Sequence, residues 1–196
     1  MEKRSREERI KIFTDLMGAI CQADFIEKLN SEGYFDAPAG MKHHGAYEGG
    51  LFDHSLQVAY ELKTLTDKLL LRWMRPEGPL VVGLFHDLCK VKQYIKIPIE
   101  EAEISADFER HAIEHGYSYE WNKKQNLPGH GEASIFRIME WEGPQLKADE
   151  LYCIRYHMEA YQGQQEWQPL DAAIRQYPNI IYTHLADMIA SKLKGV

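Results

Sequence analysis

The feature that most constrains this chain is a histidine–aspartate pair set inside an apolar run. His86 and Asp87 follow Val81, Val82, Leu84 and Phe85 and precede Leu88. A segment of this kind is predicted to be helical and buried. Burying an unpaired carboxylate costs several kcal/mol in effective terms. Any fold that accepts this run must therefore bring compensating charge to Asp87. The spacing predicts a helix opened by Pro79 and ending near Lys90. On such a helix Lys90, four residues after His86 and three after Asp87, shares their face.

Further groups of the same chemistry recur on apolar faces. Leu51, Val58, Leu62 and Leu65 form the stripe of a helix predicted from about Leu51 to Leu71, and His54 sits in that stripe. His157 follows Cys153 and Ile154 at helical spacing, on a helix predicted from about Ala148 to Met158. His130 lies between two glycines, before a helix running to Trp141. Asp187 lies in the otherwise apolar stretch from His184 to Ala190 of a closing helix predicted over Asn179 to Lys194. Singly, each has an ordinary explanation: a hydrogen-bonded core histidine, a helix-capping one, an ion-paired carboxylate. Six such residues on five segments are hard to explain by packing. His54, His86, Asp87, His130, His157 and Asp187 offer nitrogen and oxygen donors and no thiolate, which suits a hard-to-borderline transition metal.

The remaining pattern is helical. Apolar spacing predicts one long helix or two joined helices from about Ser5 to Leu29, with Arg4, Arg6, Glu7, Glu8, Arg9 and Lys11 as a solvated face. Gly33, Pro38 and Gly40 mark a break. Residues 93–97 and 116–121 read as the two strands of a hairpin. The stretch between them, from Ile99 to His115, reads as helical or irregular, and its His111 and His115 are not expected to be ligands. Asp171 to Gln176 reads as a short helical turn. The sum is an all-α bundle with one small β-hairpin, a single domain over 1–196 with a metal-site core from about 41 to 192. The 196 residues are enough for a real core. The net charge of −7 disfavours an extended grip on duplex nucleic acid. A small anionic substrate is compatible with it, because local metal charge outweighs a net acidic surface. Three scattered cysteines form no disulfide framework, and no apolar run is long enough to span a membrane, so a cytoplasmic protein is expected.

At this point the chain resembles the HD-domain metal-dependent phosphohydrolases. The closer resemblance is to the HD domain of the YhaM-type 3′–5′ exoribonucleases. The matching stretches are His43-His44 with Glu48 to Ser55, then Leu84 to Lys90, Gly129-His130, Tyr156-His157 and His184 to Asp187. They span roughly Met41 to Lys192, and the five parts in order are specific where any one part is not. Two features depart from the pattern. The chain leaves no room for the N-terminal OB-type domain of the YhaM-type proteins, and Met158 stands where relatives often carry a second histidine.

The resemblance implies an HD-domain helical bundle that hydrolyses a phosphomonoester or phosphodiester. The substrate would be a nucleotide, another small phosphorylated compound or a short single-stranded oligonucleotide. It implies two divalent cations, drawn from Mn, Fe, Ni, Zn or Mg. His54, His86, Asp87 and Asp187 would hold the first. Asp87 would bridge to the second, completed by His130 and His157. A metal-bound hydroxide would then attack phosphorus in line, with Lys90 on a phosphate oxygen. His43, His44 and His184 are candidate substrate contacts. Two other readings share the ligand set: an HD-fold di-iron oxygenase, and a non-catalytic nucleotide-binding regulator.

Overall fold

The computed structural model describes residues 4–42, 44–101, 116–124, 129–158 and 164–196. His43 and the stretch 102–115, with His111 and His115, lie outside these residues. The described chain is mostly helical with a single two-stranded antiparallel hairpin, as the apolar periodicity predicts.

The N-terminal segment is two helices. α1 (Arg6–Met17) is started by a capping box, in which Ser5 Oγ accepts from Glu8 N–H and Glu8 reaches back to Ser5 N–H. It stops at Gly18, where a Cβ would meet the Thr14 carbonyl at 2.7 Å. α2 (Ala23–Glu32) follows and ends at Gly33 in the left-handed conformation. Arg9 corrects the expectation of a solvated charged face. It is buried, packs over Gly49, reaches the carbonyls of Phe35 and Glu48, and faces Asp53 at 3.6 Å.

α3 (Gly50–Leu69) packs on the short α4 (Gly78–Phe85). Around them Phe13, Phe25, Tyr34, Phe35, Phe52 and Phe85 form an aromatic core of mostly edge-to-face pairs. Tyr34 Oη donates to the Leu84 carbonyl at 2.6 Å, fixing the end of α4 against this core.

α4 ends earlier than its apolar run suggests. His86 caps it, Asp87 leaves the helix at φ −106°, and Leu88–Lys90 form a 3-10 turn. The hairpin pairs β1 (Tyr94–Pro98) with β2 (Tyr117–Trp121), Tyr94 opposite Trp121. α5 (His130–Glu140) packs on α6 (Ala148–Tyr156). α7 (Trp167–Gln176) is longer than the turn expected there, and α8 (Asn179–Met188) continues as a π-helical stretch, Ile189–Lys194. No helix among the described residues is long and apolar enough to cross a membrane.

Two glycines allow the helices that carry the candidate ligands to meet. A Cβ on Gly83 would lie 2.3 Å from Ala59 Cα, so α4 touches α3 backbone to backbone. A Cβ on Gly131 would lie 2.3 Å from the Arg155 carbonyl oxygen, which presses the start of α5 onto the end of α6. Neither neighbour is a flexible side chain that can move aside. Gly83→Ala is therefore expected to destabilise the fold by about 1–3 kcal/mol, as overpacking does. Urea unfolding checks this through its midpoint, and a midpoint unchanged from the parent protein contradicts the close contact.

Candidate metal centre

Helix ends aim the imidazoles. The last carbonyls of a helix lack intrahelical partners. His86 Nδ1–H donates to the Gly83 carbonyl at 2.9 Å at the end of α4. His157 Nδ1–H does the same to Ile154 at 2.7 Å at the end of α6. His54, on the second turn of α3, donates Nδ1–H to the Val196 carbonyl at 2.9 Å. A carbonyl only accepts, so these contacts place the ring proton on Nδ1 and turn Nε2 inward as a lone pair.

All three Nε2 atoms are buried and have no hydrogen-bond partner among the described residues. They converge on carboxylates. Asp87 Oδ2 faces His86 Nε2 at 3.4 Å and His54 Nε2 at 3.6 Å. Asp87 Oδ1 faces His157 Nε2 at 3.6 Å and His130 Nε2 at 2.7 Å. Asp187 Oδ1 lies 3.2 Å from His54 Nε2. Lone pairs thus confront carboxylate oxygens, a repulsive arrangement unless a proton or a cation lies between them. The two Asp87 oxygens divide the imidazoles, His54 and His86 on one side, His130 and His157 on the other.

The six ligand-type residues predicted from the sequence are therefore brought together. The donor atoms of His54, His86 and Asp87 lie within 4.8 Å of one another and can hold a metal ion, as can those of Asp87, Cys89 and His130. Cys89 is the addition, since the sequence reading admitted no thiolate. Its register after His86-Asp87 was visible, but the 3-10 turn that swings it toward His130 was not.

Protein charges occupy part of the centre. Lys90 Nζ sits 2.6 Å from Asp87 Oδ2, held there by the 3-10 turn rather than by a helix face. Burial opposes ionisation of both groups, yet their mutual attraction prevails. It holds the Asp87 carboxyl well below the usual range, with help from His86 and His130, and raises the Lys90 ammonium. Asp187 is likewise held low, against burial, by His54 and His86. Burial also disfavours charge on His130, but its bonds to Asp87 and Cys89 raise it to about 10. For His86 burial is outweighed by Asp87 and the net shift is upward, whereas for His157 burial wins and the shift is downward.

A cavity of about 300 Å³ opens beside Asp87 and Asp187. Lys90, His130, His44, His184 and Lys192 supply its cationic or polar lining, and Met158 and Met188 its apolar wall. His44 lies 5.4 Å from His54, ring to ring, and burial together with His54 and Lys90 lowers it to about 4. His184 Nδ1–H donates to the His157 carbonyl at 2.8 Å, so it also steadies a candidate ligand. The sequence reading missed Lys192 and Met188, as well as the Val196 carbonyl. The last is delivered by Gly195, whose φ of +73° folds the chain back after the π-helical stretch. Compared with protein-family models, curated proteins and solved structures, the chain finds no match.

Gly195→Val forces a β-branched residue into that left-handed conformation and should displace the Val196 carbonyl from His54. Metal affinity is expected to fall roughly 10–100-fold, as when an outer partner of a ligand histidine is lost, with far-UV circular dichroism unchanged. Unaltered affinity would remove the carbonyl from the centre's design.

A second expectation follows from His130. Its value in the metal-free fold, about 10, lies above its ordinary 6.5. Its pairing therefore stabilises the metal-free protein fully below pH 6.5, and that contribution is lost as pH rises toward 10. A cation bound at Nε2 has to displace this proton, so affinity rises with pH over the same window. Calorimetric titration at pH 7 in buffers of different ionisation enthalpy should register proton release. Binding without release would exclude His130 as a ligand.

Proposed function

We propose that this chain is a metal-dependent phosphohydrolase of the HD type it resembles. Its substrate would be a small phosphorylated compound, a nucleotide or a short single-stranded oligonucleotide. The observation that carries the reading is a set of three buried imidazole nitrogens, without a hydrogen-bond partner among the described residues, that face a buried carboxylate beside a cavity lined by lysines.

The residues fit two divalent cations of the Mn, Fe, Ni, Zn or Mg type. His54, His86, Asp87 Oδ2 and Asp187 would hold one, and Asp87 Oδ1, His130 and His157 the other. When bound, such a pair supplies a water acidified enough to be a nucleophile at neutral pH and neutralises phosphate oxygens. Asp87 would serve both positions because a carboxylate has two oxygens, whereas an imidazole normally gives one nitrogen to one ion. Lys90 shields Asp87 in the metal-free protein. Released from Oδ2, its ammonium already lines the cavity and is placed to hold a phosphate oxygen. Lys192, His44 and His184 extend the same lining toward the substrate. His43 stays a candidate contact by its place beside His44.

The test begins with metal analysis of the purified protein. An anaerobic panel of nucleotides, model phosphodiesters and short oligonucleotides follows, before and after chelation and with manganese restored. Hydrolysis that disappears on chelation and returns with metal is expected. Asp87→Ala and the isosteric Asp87→Asn should both abolish turnover and metal binding, with helicity largely kept. Full activity in Asp87→Asn overturns the assignment. Turnover only with oxygen would select the oxygenase reading, and nucleotide binding without turnover in excess manganese the regulator.

A further inference from the structure

We propose that Cys89 is a thiolate ligand on the Asp87 Oδ1 side of the centre. Together with His130 and His157 it would make that position prefer a softer cation, such as zinc, iron(II) or cobalt(II), to magnesium or manganese. The inference rests on the metal-binding reading above and adds to it a donor type and a metal preference.

The position of the sulfur carries it. Cys89 Sγ is 3.3 Å from His130 Nδ1 and 3.9 Å from Nε2. A thiol that simply received the Nδ1–H bond would lie along that bond, across the ring from Nε2 and much farther from it. These distances put the sulfur beside the ring instead, nearer Nδ1 than Nε2, and the donor atoms of Cys89, His130 and Asp87 lie within 4.8 Å of one another. Its separations from the two ring nitrogens, 3.3 and 3.9 Å, bracket the spacing of two ligands of one ion. With Zn–S about 2.3 Å and Zn–N about 2.0–2.1 Å, tetrahedral donors sit roughly 3.5 Å apart.

A second observation points to the same space. His157 Nε2 is buried, lacks a hydrogen-bond partner among the described residues and faces the same Asp87 Oδ1 at 3.6 Å. The backbone holds the thiol in place. Cys89 N–H donates to Ser134 Oγ at 3.1 Å, and Ser134 Oγ–H donates to the His86 carbonyl at 2.7 Å. Ser134 lies one turn along α5 from His130, so one helix steadies both groups. Sulfur, two nitrogens and one oxygen make a four-donor set. Coordination releases the thiol proton and the His130 proton to solvent, and no electron is transferred.

Cobalt(II) alone is the probe. The intact chain is titrated with it anaerobically while the near-ultraviolet spectrum is followed, where thiolate-to-cobalt charge transfer absorbs. The band is expected in the parent protein and in Cys21→Ser and Cys153→Ala, and absent from Cys89→Ser. Cys89→Ser should retain its helicity and its first cobalt equivalent. Its second equivalent should weaken by more than the roughly 10–100-fold that losing an outer partner costs. Zinc should displace manganese preferentially at this second equivalent in the parent and lose that advantage in Cys89→Ser. Two cobalt ions bound without a charge-transfer band, or a band that survives in Cys89→Ser, overturns the thiolate ligand and leaves the metal centre standing. A parent protein that binds no cobalt, zinc or manganese overturns the metal reading itself.

Discussion

Everything in this fold answers to the carboxylate of Asp87, which is 2 % exposed. A buried carboxylate stripped of a partner costs about 3–5 kcal/mol, and this one has partners on every side. Lys90 and His130 contact it directly, and three further imidazoles face it or its neighbour Asp187. In the metal-free protein the Asp87 and Asp187 carboxyls are held low, while Lys90, His130 and His86 are held high. The carboxylates are thus answered by basic groups of the protein itself. That balance explains how so many ionisable groups coexist in a core, and it places a lysine and an imidazolium where cations would compete with them.

The scaffold aims two of the imidazoles from helix ends rather than helix faces. His86 and His157 both stand just past the last residue of a helix and both bond the carbonyl three residues back. One contact satisfies an orphan carbonyl, selects a tautomer and aims Nε2. Gly83 stands three residues before His86 and Gly131 next to His130, and the backbone contacts they permit bring α4 to α3 and α5 to α6. The aromatic cluster around Phe35 and Phe52, with Tyr34 bonded to Leu84, holds the α4 end in register. Packing, capping and ligand placement are therefore carried by the same few residues.

Much of this was legible in the sequence. Leu51, Val58 and Leu62 betray the buried face of α3, and His54 stands on it. Asp187 is a carboxylate in an apolar helix, which demands a partner whatever the fold. The all-helical architecture and the hairpin follow from the same periodicities. What was not legible depends on where chain direction changes. Asp87 leaves the helix although nothing apolar is interrupted there, and only that departure brings Lys90 onto Oδ2 and Cys89 beside His130. Arg9 reads as one charge in a mixed run, because Asp53 and the Glu48 carbonyl that receive it lie some forty residues away. The Val196 carbonyl is a backbone group and leaves no trace in side-chain pattern.

Local and global charge point in opposite directions, and the difference bears on substrate size. The chain carries −7 formally, while the cavity gathers Lys90, Lys192 and His130 around Asp87 and Asp187. Cations matched to the two carboxylates would leave that lining net positive. Fields inside a cleft are focused by its low-dielectric walls, whereas exposed surface charge is screened within about 8–10 Å at ordinary salt. A small phosphate group inside the cavity would therefore feel the lining more than the surface. On the proposed reading, a long duplex would be a poorer fit to so small a cavity, and the net charge of −7 disfavours the extended electrostatic grip it needs. On the proposed reading, the geometry favours phosphate carried on something slender: a mononucleotide, or the free end of a short single strand.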